Sequence, residues 1–401
     1  MLGWKGSYPR IGELPLKSAL LILLWAVAMP HAHAQDLQQE LRFLKQHWAY
    51  PIAPQGKAPR TYSALEASLN PDSCGTCHPK QYEGWKKSRH AYAMGPGVMG
   101  QLLETSPEAK GDLQNCLRCH APLAEQEKSL DMQLQGKKQK NALHERGLVC
   151  AACHVRHNVR FGPPPVKSAA THAHGGFVVS TAFESGRFCA TCHQFDKDGY
   201  VLNGKPLENT YAEWRSSVYA KRGIQCQGCH MPNRLHLWRG IHDPEMSAQG
   251  ITIKPDTPIV KQGVLFSALE VANTGTGHDF PTYVTPRVLV EIYQEEKDGK
   301  LIEGTLREAV IGRLVAPDLS KEISDTRLAP GREMKLKYNV PKNAQAAALV
   351  MKIRVEPDHF YTGLYRALIA SQSRGHDLIR SALLNSIGSS YDLYLRRYPI
   401  H

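Results

Sequence analysis

Residues 74–78 read Cys74-Gly75-Thr76-Cys77-His78, and the same frame returns four more times along the chain. The repeats are Cys116-Leu117-Arg118-Cys119-His120, Cys150-Ala151-Ala152-Cys153-His154, Cys189-Ala190-Thr191-Cys192-His193 and Cys226-Gln227-Gly228-Cys229-His230. All ten cysteines fall in these five frames. C-x-x-C-H is the attachment signal for c-type haem. Its spacing follows from the chemistry: two thiols add to the two vinyl groups of one porphyrin, and the next residue supplies an imidazole to the iron. The frames therefore imply five covalently attached c-type haems, held by the ten thiols, with His78, His120, His154, His193 and His230 as proximal ligands. Structural zinc needs four thiolates, hence pairs in twos, and five pairs do not divide that way. Thioredoxin-type redox sites use one C-x-x-C, not five. A disulfide scaffold would need a far higher density than ten cysteines in 401 residues.

The frames begin at residues 74, 116, 150, 189 and 226. So few residues per cofactor leave little room for a side-chain core, and the spacing predicts short helices, long loops and close-packed haems between 74 and 242. The expected class is α+β: a multihaem cytochrome c domain over 35–250, a β-sandwich-like domain over 251–357, and a C-terminal helical segment over 358–401.

Ahead of the frames, Lys5, Arg10 and Lys17 precede an apolar run from Ser18 to Met29 that ends in Ala32-His33-Ala34. Positive region, short apolar core and small-residue site read as a cleavable secretory signal over 1–34. The run is shorter than the ~20 residues a spanning helix requires, so no membrane span is expected after cleavage. Loss of that segment, with its three bases and one acid, lowers the formal charge from +12 to about +10. The implied location is periplasmic or extracellular.

An iron held by histidine on one face can be closed by a second histidine, closed by methionine, or left open. Context selects among the remaining histidines. His90 follows Trp85-Lys86-Lys87-Ser88-Arg89 on an expected helix just past the first frame, with an aromatic on a nearby face. His242 lies in Trp238-Arg239-Gly240-Ile241-His242-Asp243-Pro244 shortly after the fifth frame. His278 lies in the loop Gly277-His278-Asp279-Phe280-Pro281, whose small, aromatic and cyclic neighbours suit approach to a flat ring. Of His172 and His174, which flank Ala173, His174 is preferred. His144, His157 and His359 remain candidates for the fifth position, and Met94 could offer a thioether.

Residues 70–245 resemble the multihaem cytochrome c family typified by the tetrahaem electron acceptor of hydroxylamine oxidoreductase. The resemblance rests on the first frame followed by Gln81-Tyr82, Trp85, Ser88 and His90, on further frames at similar intervals, and on the last frame running into Met231-Pro232. It implies a periplasmic protein carrying electrons through stacked haems, mostly with two histidines per iron. Its reach is His90 and the five proximal histidines. The fifth frame and the C-terminal region depart from the tetrahaem type. Pentahaem nitrite reductases share the haem count, but their catalytic haem has lysine in place of the proximal histidine, and every such position here is histidine.

From about Pro255 the texture changes. Val288, Val290 and Ile292 alternate with other residues, as do Met334, Leu336, Tyr338 and Val340, and Leu349, Met351, Ile353 and Val355. Period two predicts half-buried strands, with turns at Asp298-Gly299 and Pro330-Gly331. Together they suggest a sandwich. Residues from Asp358 to Arg397 read as helical, with Leu395 among the apolar positions.

The basic segments Lys86-Lys87-Arg89 and Lys137-Lys138-Lys140 could steer acidic redox partners or membrane-bound, quinol-linked donors. No motif points to nucleic acid. The primary expectation is a relay of single electrons between redox partner proteins. The alternative is an oxidoreductase with one open iron acting on a small nitrogen or sulfur oxyanion.

Overall fold

In the computed structural model of the chain, residues 35–104, 110–137, 139–165, 176–197, 199–370 and 374–400 are described. Two compact units divide at Ala49 and Tyr50. In the first, residues 35–47 form a helix, along which Phe43 and His47 stack with centroids 4.8 Å apart.

In the second unit, every cysteine frame sits on or at the end of a short helix: Pro71–Gly75, Lys110–His120, Cys150–His154, Gly186–His193 and Cys226–His230. The frame is itself a helical spacing. Residues i, i+3 and i+4 share one helix face, so both thiols and the imidazole project the same way. Local caps place several of these turns. Asn70 accepts from the Asp72 amide ahead of the first frame, and Ser185 accepts from Arg187 ahead of the fourth. Between the frames lie short helices and only small ribbons, such as Val155–Arg156 with Val159–Gly162.

The chain turns from helix to sheet between Gly250 and Ile251. Nine strands follow: β1 (Ile251–Pro255), β2 (Ile259–Lys261), β3 (Val264–Asn273), β4 (Arg287–Glu295), β5 (Arg307–Val315), β6 (Glu322–Asp325), β7 (Glu333–Pro341), β8 (Ala348–Glu356) and β9 (Tyr391–Pro399). They build two antiparallel sheets. One has the order β6-β5-β4-β8-β9; the other has the order β7-β3-β1, with β2 also on β3. Register explains the core. Met351 lies opposite Ile292, Ile353 opposite Val290 and Val355 opposite Val288, so one face of β4 and β8 is continuously apolar. That face packs with Leu265, Leu269 and Val271 of β3 and Tyr338 and Val340 of β7. Burial of two such faces against each other is the hydrophobic term that holds a sandwich together. Both expected turns occur, with Gly299 at φ 86° and Gly331 at φ 80°.

Helices α1 (His359–Ala370) and α2 (His376–Gly388) follow β8. The expectation of helix through Arg397 is corrected here. Residues Tyr391–Pro399 are strand β9, paired along β8 from Tyr391 opposite Val355 to Pro399 opposite Ala348. Tyr391, Tyr394 and Tyr398 favour a pleated surface, and the segment covers an edge of β8 that would otherwise leave its backbone unpaired. Leu395 is a half-exposed position on that strand, not part of a helical stripe.

Candidate haem-binding site

The five frames are brought together out of sequence order. Cys74 lies beside Cys150, Cys119 beside Cys192, and Cys189 beside Cys226. Frame one therefore lies against frame three, frame two against four, and four against five. Cys153 of frame three is also close enough to Cys189 and Cys192 to influence both electrostatically. Frame four is the hub.

Three histidine pairs stand across from one another. His90 and His193 have ring centroids 6.3 Å apart, His154 and His236 6.0 Å, and His230 and His278 6.3 Å. With metal–imidazole bonds of about 2.0 Å and about 1.1 Å from nitrogen to ring centre, one metal held by two Nε2 atoms would set the centroids about 6.2 Å apart. Each pair joins one frame histidine to one histidine from elsewhere.

Hydrogen bonding fixes the tautomer that such a site requires. His120 Nδ1 donates to the Ala93 carbonyl at 2.5 Å, His154 to Phe161 at 2.8 Å and His230 to Arg239 at 2.7 Å. Opposite them, His236 donates to Arg234 at 3.1 Å and His278 to Asp279 at 2.9 Å. A carbonyl only accepts, so in each ring the proton is on Nδ1 and the Nε2 lone pair is free for a metal. Burial lowers the pKa of His120, His154 and His230, that of His236 to about 4 and that of His90 to about 3, which keeps these rings neutral. The donor set thus fits a metal bound between neutral imidazoles.

His90 is not on a helix, as the sequence suggests. The helix Pro79–Lys86 ends first, because the Ser88 hydroxyl donates back to the Trp85 carbonyl at 2.7 Å, and His90 lies in the turns beyond. Trp85 is buried and donates to the Leu148 carbonyl at 2.8 Å. The ring that meets His90 is Trp238, at 4.5 Å edge to face. Gly147 seats the turn: its φ is 62°, and a Cβ there would come within 2.4 Å of the His90 carbonyl oxygen.

His278 is held by a polar frame. Asn273 Nδ2 donates to the His278 carbonyl at 2.9 Å, and Glu213 accepts from the Asp279 amide at 3.2 Å and the Thr282 hydroxyl at 2.9 Å. Arg327 closes the frame, 2.8 Å from Glu213 and 3.6 Å from Asp279.

His242 stands elsewhere. Its Nε2 lies 3.0 Å from both Asp358 carboxylate oxygens, and a carboxylate accepts, so the atom that would bind iron carries the proton. The geometry turns from His242 to His236, six residues earlier, which sequence reasoning passed over. The usable signal was its apolar setting, Leu235-His236-Leu237-Trp238, directly after the fifth frame. His174 and His172 lie outside the described residues. His144 is fully buried with both nitrogens engaged, by Ser129 at 2.9 Å and Gln133 at 2.6 Å. His359 lies 3.3 Å from Glu356, and His157 is exposed at φ 50°. Met94 packs in an apolar cluster with Leu113 and Leu117. His78 and His120 face no further histidine ring among the described residues. Tyr283 lies near Cys119 and beside Tyr361, and burial raises both phenol pKa values. No helix among the described residues is long and apolar enough to cross a membrane.

Residues 73–155, which span the first three frames, match the family model described as cytochrome c554 and c-prime. The fold is similar to a penta-heme cytochrome c552 from Thermochromatium tepidum, with a TM-score of 0.62 at 17% identity, covering 84% of this chain and 100% of that one. No curated protein matches the chain. Frames, matched region and fold agree on a multihaem c-type cytochrome whose chemistry is electron transfer.

Proposed function

We propose that the chain is a periplasmic five-haem relay that passes single electrons between redox partner proteins. Each haem iron supplies one-electron chemistry by cycling between ferric and ferrous states. The residues proposed to hold it are the ten frame cysteines as thioether anchors and His78, His120, His154, His193 and His230 as proximal ligands. His90 would serve the iron of frame four, His236 that of frame three and His278 that of frame five, and His174 is kept for one of the two others. The residue-35 start of the haem-binding part and its end at 250 belong to the same reading.

The observation that carries the reading is the contact between frames: one against three, three beside four, and four against both two and five. Haems held on neighbouring frames would lie close to one another, and such closeness is what a relay needs. Backbone carbonyls on Nδ1 raise ligand basicity and fix ring orientation, so the residues hold the sites ready without rearrangement. The exposed Lys86, Lys87 and Arg89, beside His90, give a basic face for an acidic partner.

Intact mass tests the count. Each haem adds about 0.6 kDa, so five make the protein about 3 kDa heavier than its polypeptide. Removing one frame with Cys150→Ala and Cys153→Ala lowers the count by one and removes part of the core the porphyrin fills. A haem-resolved redox titration with five one-electron steps supports the relay. One observation favours the second reading, an enzyme: no histidine ring faces His120 among the described residues. A high-spin iron that binds nitrite or sulfite would support it.

A further inference from the structure

Trp238 stands at the junction of three frames. Its indole meets His90 edge to face at 4.5 Å and His236 edge to face at 4.9 Å. Its amide donates to the carbonyl of His230 at 2.9 Å. One residue therefore touches the histidine opposite frame four, the histidine opposite frame three, and the proximal histidine of frame five. Its backbone φ is 40°, a left-handed value that a large aromatic residue adopts only where the surroundings require it.

His90 differs from His236 and His278, the other two histidines that stand across from a frame. His236 and His278 each have a backbone carbonyl for Nδ1, whereas His90 Nδ1 is buried with no hydrogen-bond partner among the described residues. If Nε2 binds a metal, Nδ1 must carry the proton, and a buried N–H without an acceptor is costly. The group packed against that ring is the indole of Trp238, and the face of an aromatic ring accepts an N–H weakly.

We propose that Trp238 is the positioning residue for two distal imidazoles, giving the His90 Nδ1–H its acceptor and setting the rotation of both the His90 and His236 rings. The proposal rests on the two-histidine reading of frames three and four. An imidazole bound through one nitrogen turns easily about that bond unless its other nitrogen or its faces are held. A carbonyl holds His236 on one side and the indole on another; for His90 the indole takes both parts. Through its main chain the same residue ties this pair to the turn that carries His230, so the three frames keep one relative arrangement.

The test uses the full holoprotein with Trp238→Phe and Trp238→Leu, read by low-temperature electron paramagnetic resonance and haem-resolved redox titration. The wild type must first give low-spin signals for the irons of frames three and four. Their absence would defeat the two-histidine reading and this proposal with it. Given those signals, Trp238→Leu is expected to displace the low-spin signals and titration steps of two haems and leave the other three in place. Trp238→Phe keeps an aromatic face and is expected to restore the frame-four signal toward wild type. A purely structural role would lower thermal stability and haem content without selecting two haems. Equal displacement of all five signals, no displacement in Trp238→Leu, or the same result in Phe and Leu would overturn the proposal.

Discussion

The Arg327 guanidinium lies 2.8 Å from the Glu213 carboxylate, and the two side chains keep only 5% and 6% of their surface exposed. Burial by itself would lower the Arg327 pKa, but Asp325, Glu213 and Asp279 together raise it. Glu213 also accepts from the Asp279 amide and the Thr282 hydroxyl, on either side of the turn that follows His278. Arg327 keeps Asp325 at 2.8 Å when Glu213 is removed, so the loss falls on the Asp279 amide and the Thr282 hydroxyl, which are left without that acceptor. Glu213→Ala is expected to lower stability by about 1–3 kcal/mol and to loosen the His278 loop. Chemical denaturation measures the first, and a new high-spin haem signal measures the second.

His278→Ala separates a redox role for the β-region from that of a spacer. One haem is expected to lose its sixth ligand, become high-spin and shift upward in potential, because water stabilises the ferric state less than imidazole does. Unchanged spectra would remove the sandwich from the redox machinery.

His236 and His242 give opposite expectations from neighbouring positions. His236→Ala is expected to convert one low-spin haem to high spin. His242→Ala should leave the haem spectra unchanged, because its Nε2 is committed to Asp358 at 3.0 Å. Its cost is the loss of that pair, read as a lower melting temperature.

Glu356 predicts an acid-sensitive term. The bond from His359 lowers its pKa, burial opposes, and Arg287 lowers it further, to about 2 from an ordinary 4.5. Between those values the unfolded chain binds more protons than the folded one, so stability falls as pH falls through that window. Above it the contribution is complete. Glu356→Gln is therefore expected to melt below wild type at pH 6, with the gap closing toward pH 2. A gap independent of pH would show that the carboxylate's charge is not the source.

Gly147→Ala places a side chain where φ is 62° and ψ −141°, a region open essentially to glycine. The added Cβ would also meet the His90 carbonyl at 2.4 Å. A loss of about 1–3 kcal/mol is expected from the backbone alone. Displacement of the frame-four haem signal in the same variant would locate the strain at His90.

Much of this protein is legible in its sequence for a physical reason. The two thiols and the histidine of each frame lie within five residues, so one helical turn places them whatever the rest of the chain does. The alternations at Val288–Ile292 and Leu349–Val355 are likewise local, because a pleated strand sorts its own side chains to two faces. The last strand escaped that reading: Tyr391–Pro399 is ordered by pairing with the edge of β8, a partner outside its own stretch.

What lies across from each frame is a long-range matter. His278 stands 48 residues beyond His230, and only the folded loop, anchored by Glu213 from a distant helix, brings the rings to 6.3 Å. His236 and His242 share one segment and similar chemistry. The difference between them is a carboxylate 116 residues away that takes the Nε2 proton of His242, while His236 gives its Nδ1 proton to a carbonyl two residues back. The spatial order of the frames, with four at the hub, is set by how short helices with little side-chain core pack on one another, and no local spacing encodes that contact.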